Sequence, residues 1–134
     1  MIKERIILVA DDDVDDQELL EEAILHLKEG AAIHTVSSGN ELIEYLISCT
    51  KKELPCLIVL DYNMPKMNGV EVLEYLHNNE NYKHIPAIVW STSNSIFYKE
   101  ICKQKGALEY FQKPNNFTTL TAVAKQMLSF CSRS

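Results

Sequence analysis

The residues Leu57-Ile58-Val59-Leu60-Asp61-Tyr62-Asn63-Met64-Pro65 constrain the fold of this chain more than any other stretch. Four consecutive branched apolar side chains leave no polar face for water, so a strand made of them is buried on both sides. Pro55 precedes the run and Pro65 follows it, and neither can donate a ladder hydrogen bond. A strand covered on both faces calls for helices above and below it, the layering of a parallel α/β sheet. The run ends in a lone carboxylate, Asp61, delivered to the rim of that sheet. In open parallel sheets ligands bind in the crevice beyond the carboxyl ends of the strands, which makes Asp61 the candidate reacting group.

The rest of the chain repeats the strand-then-helix pattern. Arg5–Ala10 is a second continuous apolar strand and runs into Asp11-Asp12. The helix after it carries Leu19, Leu20, Ala23, Ile24 and Leu27 on one stripe. Its first turn holds Asp15, Asp16 and Glu18, where the helix dipole favours anions, and Gly30 closes it. Ala31–Val36 is a weaker strand, followed by a helix with Leu42, Ile43, Leu46 and Ile47 inward. The central strand, read over Cys56–Leu60, leads through Lys66-Met67-Asn68-Gly69 to a helix with Val70, Leu73 and Leu76 on one face. Pro86 opens a fourth strand, Ala87–Trp90, and Ser91-Thr92-Ser93-Asn94-Ser95 supplies N-caps for a helix holding Ile96, Phe97 and Ile101. A fifth strand, Leu108–Gln112, runs into Lys113-Pro114, and the last helix turns Leu120, Val123, Ala124, Met127 and Leu128 inward. Short crossovers of this kind force parallel pairing with right-handed connections. The expected fold class is α/β: a doubly wound five-stranded parallel sheet, flavodoxin-like, (βα)5.

At 134 residues, 46% hydrophobic and 24% charged, the chain fits one globular domain over residues 1–134. A formal net charge of -6 opposes a nucleic-acid surface. Cys49, Cys56, Cys102 and Cys131 lie far apart, with no C-x-x-C pair and no histidine at zinc spacing. They read as four reduced thiols of a cytoplasmic protein. No apolar run approaches the ~18 residues of a membrane span, and Met1-Ile2-Lys3 leads into a strand rather than a signal peptide.

Parallel strands bring their carboxyl ends to one edge, and those ends carry Asp11-Asp12, Asp61, Ser91-Thr92 and Lys113. Carboxylates gathered there repel one another unless a cation sits among them. With only oxygen ligands on hand, a hard divalent ion such as Mg²⁺ is the natural occupant. Lys113 adds a fixed positive charge, and the set forms a cavity for a phosphoryl group with Asp61 as its nucleophile. Asp13, Asp15 and Asp16 are read as helix-dipole and solubility residues. Asp11, Asp13, Asp15 and Glu22 also fall at calcium-loop spacing, but Asp16 stands where that loop needs glycine, and a strand precedes it.

The chain resembles a response-regulator receiver domain of two-component signalling, of the stand-alone, single-domain type. The resemblance rests on Ile-Leu-Val-Ala-Asp-Asp at 7–12, Leu-Asp-Tyr-Asn-Met-Pro-Lys-Met-Asn-Gly at 60–69, Pro-Ala-Ile-Val-Trp-Ser at 86–91 and Tyr-Phe-Gln-Lys-Pro at 110–114. The acidic residues after Asp12 also resemble regulators that work with phytochrome-like or hybrid sensor kinases. The resemblance implies that Asp61 accepts a phosphoryl group from a sensor histidine kinase, or from a hybrid kinase or phosphotransfer protein. It implies Mg²⁺ held by Asp11, Asp12, Asp61 and the backbone carbonyl of Asn63. Lys113 would pair with Asp61 when free and with the phosphoryl oxygens after transfer, aimed by a cis bond to Pro114. Ser91 would donate its hydroxyl to the phosphoryl group, with Tyr110 swinging inward as Ser91 moves. The answering face is then helix four, strand five and helix five, with Phe97, Tyr98, Lys99, Lys103, Glu109 and Gln112. Thr92 stands where many receivers carry alanine, and its branched side chain should narrow access to Asp61. Asn63 is suited to orienting a hydrolytic water, while Ser93 is too short to contribute much.

On this reading the chain is a switch rather than an enzyme, catalysing only its own phosphorylation and dephosphorylation. No output domain follows, nucleic acid and membrane are not partners, and Phe97, Tyr98 and Tyr110 suit a homodimer contact. Two alternatives stand beside it. A phosphatase of the haloacid dehalogenase type also uses a strand-end aspartate with Mg²⁺, but it needs a second aspartate where this chain has Asn63. A receiver-like interaction module that is never phosphorylated has no need for the intact Asp11, Asp12, Asp61, Ser91 and Lys113 set.

Overall fold

The computed structural model describes residues 5–131. Five strands alternate with five helices: β1 (Arg5–Ala10), α1 (Val14–His26), β2 (Ala31–Val36), α2 (Gly39–Ser48), β3 (Leu57–Asp61), α3 (Gly69–His77), β4 (Ala87–Ser91), α4 (Ile96–Gln104), β5 (Glu109–Gln112) and α5 (Phe117–Ser129). One 3₁₀ turn, Lys51–Glu53, precedes β3 and had no signal in the periodicity. All pairings are parallel, in the order β2-β1-β3-β4-β5. This is the expected doubly wound sheet. The order reverses between β1 and β3, and the crevice at that switch point is where such sheets place their site. Among the described residues, no helix is long and apolar enough to cross a membrane.

Alternation along each strand divides the core into two layers. Leu8, Ala10, Ile58 and Leu60 pack toward one face with Leu42, Leu46, Leu73 and Leu76. Ile7, Val9, Leu57, Val59 and Trp90 pack toward the other with Leu20, Ile24, Leu120 and Met127. Strands β3 and β4 are buried at every residue, as four-residue apolar runs between helical layers require.

Several sequence expectations need correction. Leu19 is exposed, because the stripe that meets the sheet is Gln17, Leu20, Ala23 and Ile24. Ile47 is exposed as well: α2 buries Leu42 and Leu46 and lies by the edge strand β2, where the sheet runs out. Cys56 and Cys131 are not separate thiols. They are joined, with Cα atoms 4.9 Å apart across 75 residues of sequence, a spacing a disulfide spans. Cys56 stands just before β3 and Cys131 just after α5, and both lie in the layer containing Trp90 and Leu128. Cys49 and Cys102 are free.

Candidate functional site

β1 and β3 run side by side with Ala10 opposite Leu60, so Asp11 and Asp61 leave the sheet together. One carboxylate oxygen from each of Asp11, Asp12 and Asp61 lies within 4.8 Å of the others. Asp11 is fully buried and Asp61 nearly so, while Asp12 is exposed. Burial, and then the charge of Asp11, pushes the Asp61 carboxyl up to about 7, against the pull of Lys113. Burial raises Asp11 as well, more than its contacts with Lys113 and the Asp13 backbone lower it. Two buried carboxylates that resist ionisation, with a third at the surface and only oxygen donors around them, fit a hard divalent cation. Second contacts steady the cluster. Asp11 Oδ1 accepts the Asp13 N–H at 2.9 Å, and Gln17 Nε2 donates to the backbone carbonyls of Asp11 and Val36. Gln17 went unnoticed in the sequence. Its only signal is a polar residue three positions before Leu20 on the buried stripe.

Lys113 reaches this cluster from the end of β5, and its backbone N–H donates to the Ser91 carbonyl at 2.7 Å. Its Nζ lies 2.8 Å from Asp11 Oδ2, 2.8 Å from Asp16 Oδ2 and 3.7 Å from Asp61 Oδ2. The pairing with Asp61 is therefore the longest of the three, and Asp16 holds the lysine rather than merely facing water. Burial alone would lower the Lys113 pKa, but its bonds to Asp11 and Asp16 carry it above the ordinary lysine value. The same Nζ stands 5.1 Å from the centre of the Trp90 ring, a cation–π distance. The Lys113–Pro114 bond is trans, as is every peptide bond among the described residues. The lysine is aimed by its backbone bond to Ser91 and by its carboxylates, not by a cis proline.

Ser91 is buried at the end of β4. Its Oγ accepts the Ser93 N–H at 3.1 Å, Ser93 Oγ accepts the Ser95 N–H at 3.1 Å, and Ser95 Oγ caps α4 by accepting the Tyr98 N–H. A ladder of serine turns thus links the end of β4 to the first turn of α4. Ser93, considered in the sequence only for orienting a water, is the middle rung. Tyr110 already points inward: it is buried, and its hydroxyl donates to the Ser93 carbonyl at 2.9 Å. Thr92 and Asn63 are exposed beside Ser91 and Asp61, and the Asn63 N–H lies 3.4 Å from Asp61 Oδ1. Tyr62, next to Asp61, stacks on Tyr98 of α4 with ring centres 4.2 Å apart. The loop after β3 folds back so that Gly69 donates its N–H to the Tyr62 carbonyl at 3.0 Å. A β-carbon at Gly69 would stand 2.9 Å from the Asp61 carbonyl oxygen.

Residues 7–125 match the family model described as the response regulator receiver domain. The chain belongs to that family. Receiver domains are signalling modules of two-component systems, which sets aside the phosphatase reading. The chain is 31% identical to the two-component response regulator ARR17 of Arabidopsis thaliana, over 85% of this chain and 78% of the relative. The first curated relatives it matches are longer, and the alignment spans 55–60% of their length. Among solved structures it is similar to the phosphorylated cyanobacterial phytochrome response regulator RcpA. The identity is 28% and the TM-score 0.84, covering 96% of this receiver and 94% of that chain. It is also similar to the Mn²⁺-bound response regulator Rcp1, with 27% identity and a TM-score of 0.78, covering 94% and 93% of the two chains.

Proposed function

We propose that this receiver accepts a phosphoryl group on Asp61 from the phosphohistidine of a sensor histidine kinase, a hybrid kinase or a phosphotransfer protein. The observation that carries the proposal is the cluster at the β1/β3 switch point. Asp61 is set among Asp11, Asp12 and Lys113, with Lys113 Nζ 3.7 Å away. A carboxylate oxygen of Asp61 attacks phosphorus, the P–N bond to the histidine breaks, and the imidazole leaves with that electron pair. Asp11, Asp12, Asp61 and the Asn63 carbonyl would hold Mg²⁺, which when bound supplies positive charge to the carboxylates and the phosphoryl oxygens. The donor chemistry of the cluster supports this, as does a relative solved with Mn²⁺ bound.

Phosphorylation adds about -1.5 to -2 charges and three acceptor oxygens. Lys113 would donate to one of these oxygens and Ser91 Oγ–H to another. Drawing Ser91 toward Asp61 works against its bond from the Ser93 N–H, the first rung of the ladder that ends on α4. Tyr110 holds the second strand of that linkage through the Ser93 carbonyl. The face that answers would be α4, β5 and α5, including Phe97, Tyr98, Lys99, Lys103, Glu109 and Gln112. A second copy of the chain would dock there. Thr92 would restrict access to the aspartyl phosphate, and Asn63 would orient the water that hydrolyses it.

The described domain would act as one receiver unit in the cytoplasm, without contacting nucleic acid or membrane. The deciding experiment is labelling with phosphoramidate in Mg²⁺. The parent should incorporate phosphate and Asp61→Asn should not. Equal labelling of the two defeats the assignment.

A further inference from the structure

Three carboxylates compete for one ammonium at this site, and one of them lies outside the cluster assigned to the cation. Lys113 is nine-tenths buried and makes two hydrogen-bond-length contacts, to Asp11 and to Asp16, both at 2.8 Å. Both are ion pairs, and the one to Asp16 is also a hydrogen bond, the strong, charge-assisted kind. Asp61, the group nearest the incoming phosphoryl, gets only a 3.7 Å approach. Asp16 is well placed to hold its end: it lies in the first turn of α1, and its N–H is bonded to Asp13 Oδ1, the helix N-cap. Its carboxylate is itself mostly shielded from water, with 28% of the side chain exposed, so salt screens the pair less than a surface one.

We propose that Asp16 is a positioning residue that restrains Lys113 in the resting receiver and sets how readily it turns to a phosphoryl group on Asp61. To close from 3.7 Å to hydrogen-bonding distance of Asp61 or its phosphoryl oxygens, the ammonium has to move. Asp11 follows the strand end that pairs with β3, beside Asp61, so a lysine closing on Asp61 does not have to leave it. Asp16, on α1, is the partner whose hold opposes it. The aspartate tethers the lysine while the site is empty and competes with the phosphoryl oxygens when the site is filled. This rests on the phosphoryl-acceptor reading of Asp61, and it deepens that reading by naming the residue that tunes the lysine.

The test measures binding of beryllofluoride, a phosphoryl mimic, by ¹⁹F NMR at saturating Mg²⁺ in the parent, Asp16→Asn, Asp16→Ser and Asp16→Glu. Removing one charged partner is expected to tighten the mimic about three- to ten-fold in Asp16→Asn and Asp16→Ser. Asp16→Glu, which keeps the charge, should return toward the parent value. The same substitution to Asn is then made in a Lys113→Met background, where the tightening should vanish because the residue it acts through is gone. Emission from Trp90, the single tryptophan, should also differ between metal-free parent and Asp16→Asn, since the ammonium beside its ring is released. Unchanged or weaker binding in both neutral variants overturns the proposal. So does tightening that persists without Lys113, which would reflect only the loss of a nearby negative charge. If one neutral variant fails to fold, the other carries the comparison. A parent that binds no beryllofluoride defeats the phosphoryl-acceptor reading itself, and the restraint with it.

Discussion

Asp61 carries a conflict that its position creates. It ends a strand buried at every residue, next to Asp11, and its carboxyl is pushed up to about 7 from the ordinary value of 3.8. Between those two pH values the folded chain keeps the proton and the unfolded chain has lost it, so stability falls as pH rises through the window. Below the window the group contributes nothing, and above about 7 the full loss is present. The metal-free Asp61→Asn protein should therefore melt at a higher temperature than the parent at about pH 8. The margin should shrink toward about pH 4. Melting curves at several pH values check this, and a margin independent of pH contradicts it. Asp61 was legible in the sequence because a lone carboxylate ending an unbroken apolar strand has few other reasons to be there, and Lys113 because the fifth parallel strand ends at the same edge. Asp16 was not, because inside a run of five aspartates nothing local singles out the one that meets a lysine 97 residues away.

The elements around the site are stitched by short polar devices. Asn68 and Glu71 cap α3 reciprocally, each side chain accepting the other's backbone N–H at 3.0 Å. That cap fixes Gly69 against the backbone of Asp61 and Tyr62. A methyl group at Gly69 would meet backbone atoms at 2.9 and 3.2 Å, and backbone cannot rotate away as a side chain can. Gly69→Ala should cost about 1–3 kcal/mol of stability and weaken Mg²⁺ binding by displacing the loop after β3. Chemical denaturation and a Mg²⁺ titration test the two effects, and a variant that matches the parent in both refutes the argument. Helix α4 is the opposite case. It buries only Cys102 fully and leaves Ile96 and Phe97 exposed. Few buried apolar contacts place a helix at the low-stability end of a fold, and the serine ladder and the Tyr62–Tyr98 stack tie this helix to the site.

For the whole molecule, the repulsion stored at one edge of the sheet is a stability term that a cation can cancel. Saturating the cluster with Mg²⁺ at about 100 times its dissociation constant should stabilise the fold by about 2.7 kcal/mol. That rise in melting temperature should be largely lost in Asp12→Ala, which removes one proposed ligand, exposed at the surface, without opening the core. An equal rise in parent and variant would place the ion elsewhere. The rest of the molecule supplies rigidity to hold the charges together: two apolar layers, a fully parallel sheet, and the contact between Cys56 and Cys131 joining the start of β3 to the end of α5.

The sequence by itself determined the sheet, the helices and the edge on which the chemistry gathers. These follow from local rules: unbroken apolar runs bury on both faces, helical stripes repeat every 3.6 residues, and parallel strands end on one side. Tertiary structure alone decided which partner each group meets. It gave Lys113 to Asp11 and Asp16 ahead of Asp61, bonded Gln17 to the Asp11 backbone carbonyl, exposed Leu19 and Ile47, and brought Cys56 to Cys131. Period and burial are written in neighbouring residues, whereas the choice among several equally charged or apolar neighbours is settled only by ångström-scale packing of distant segments.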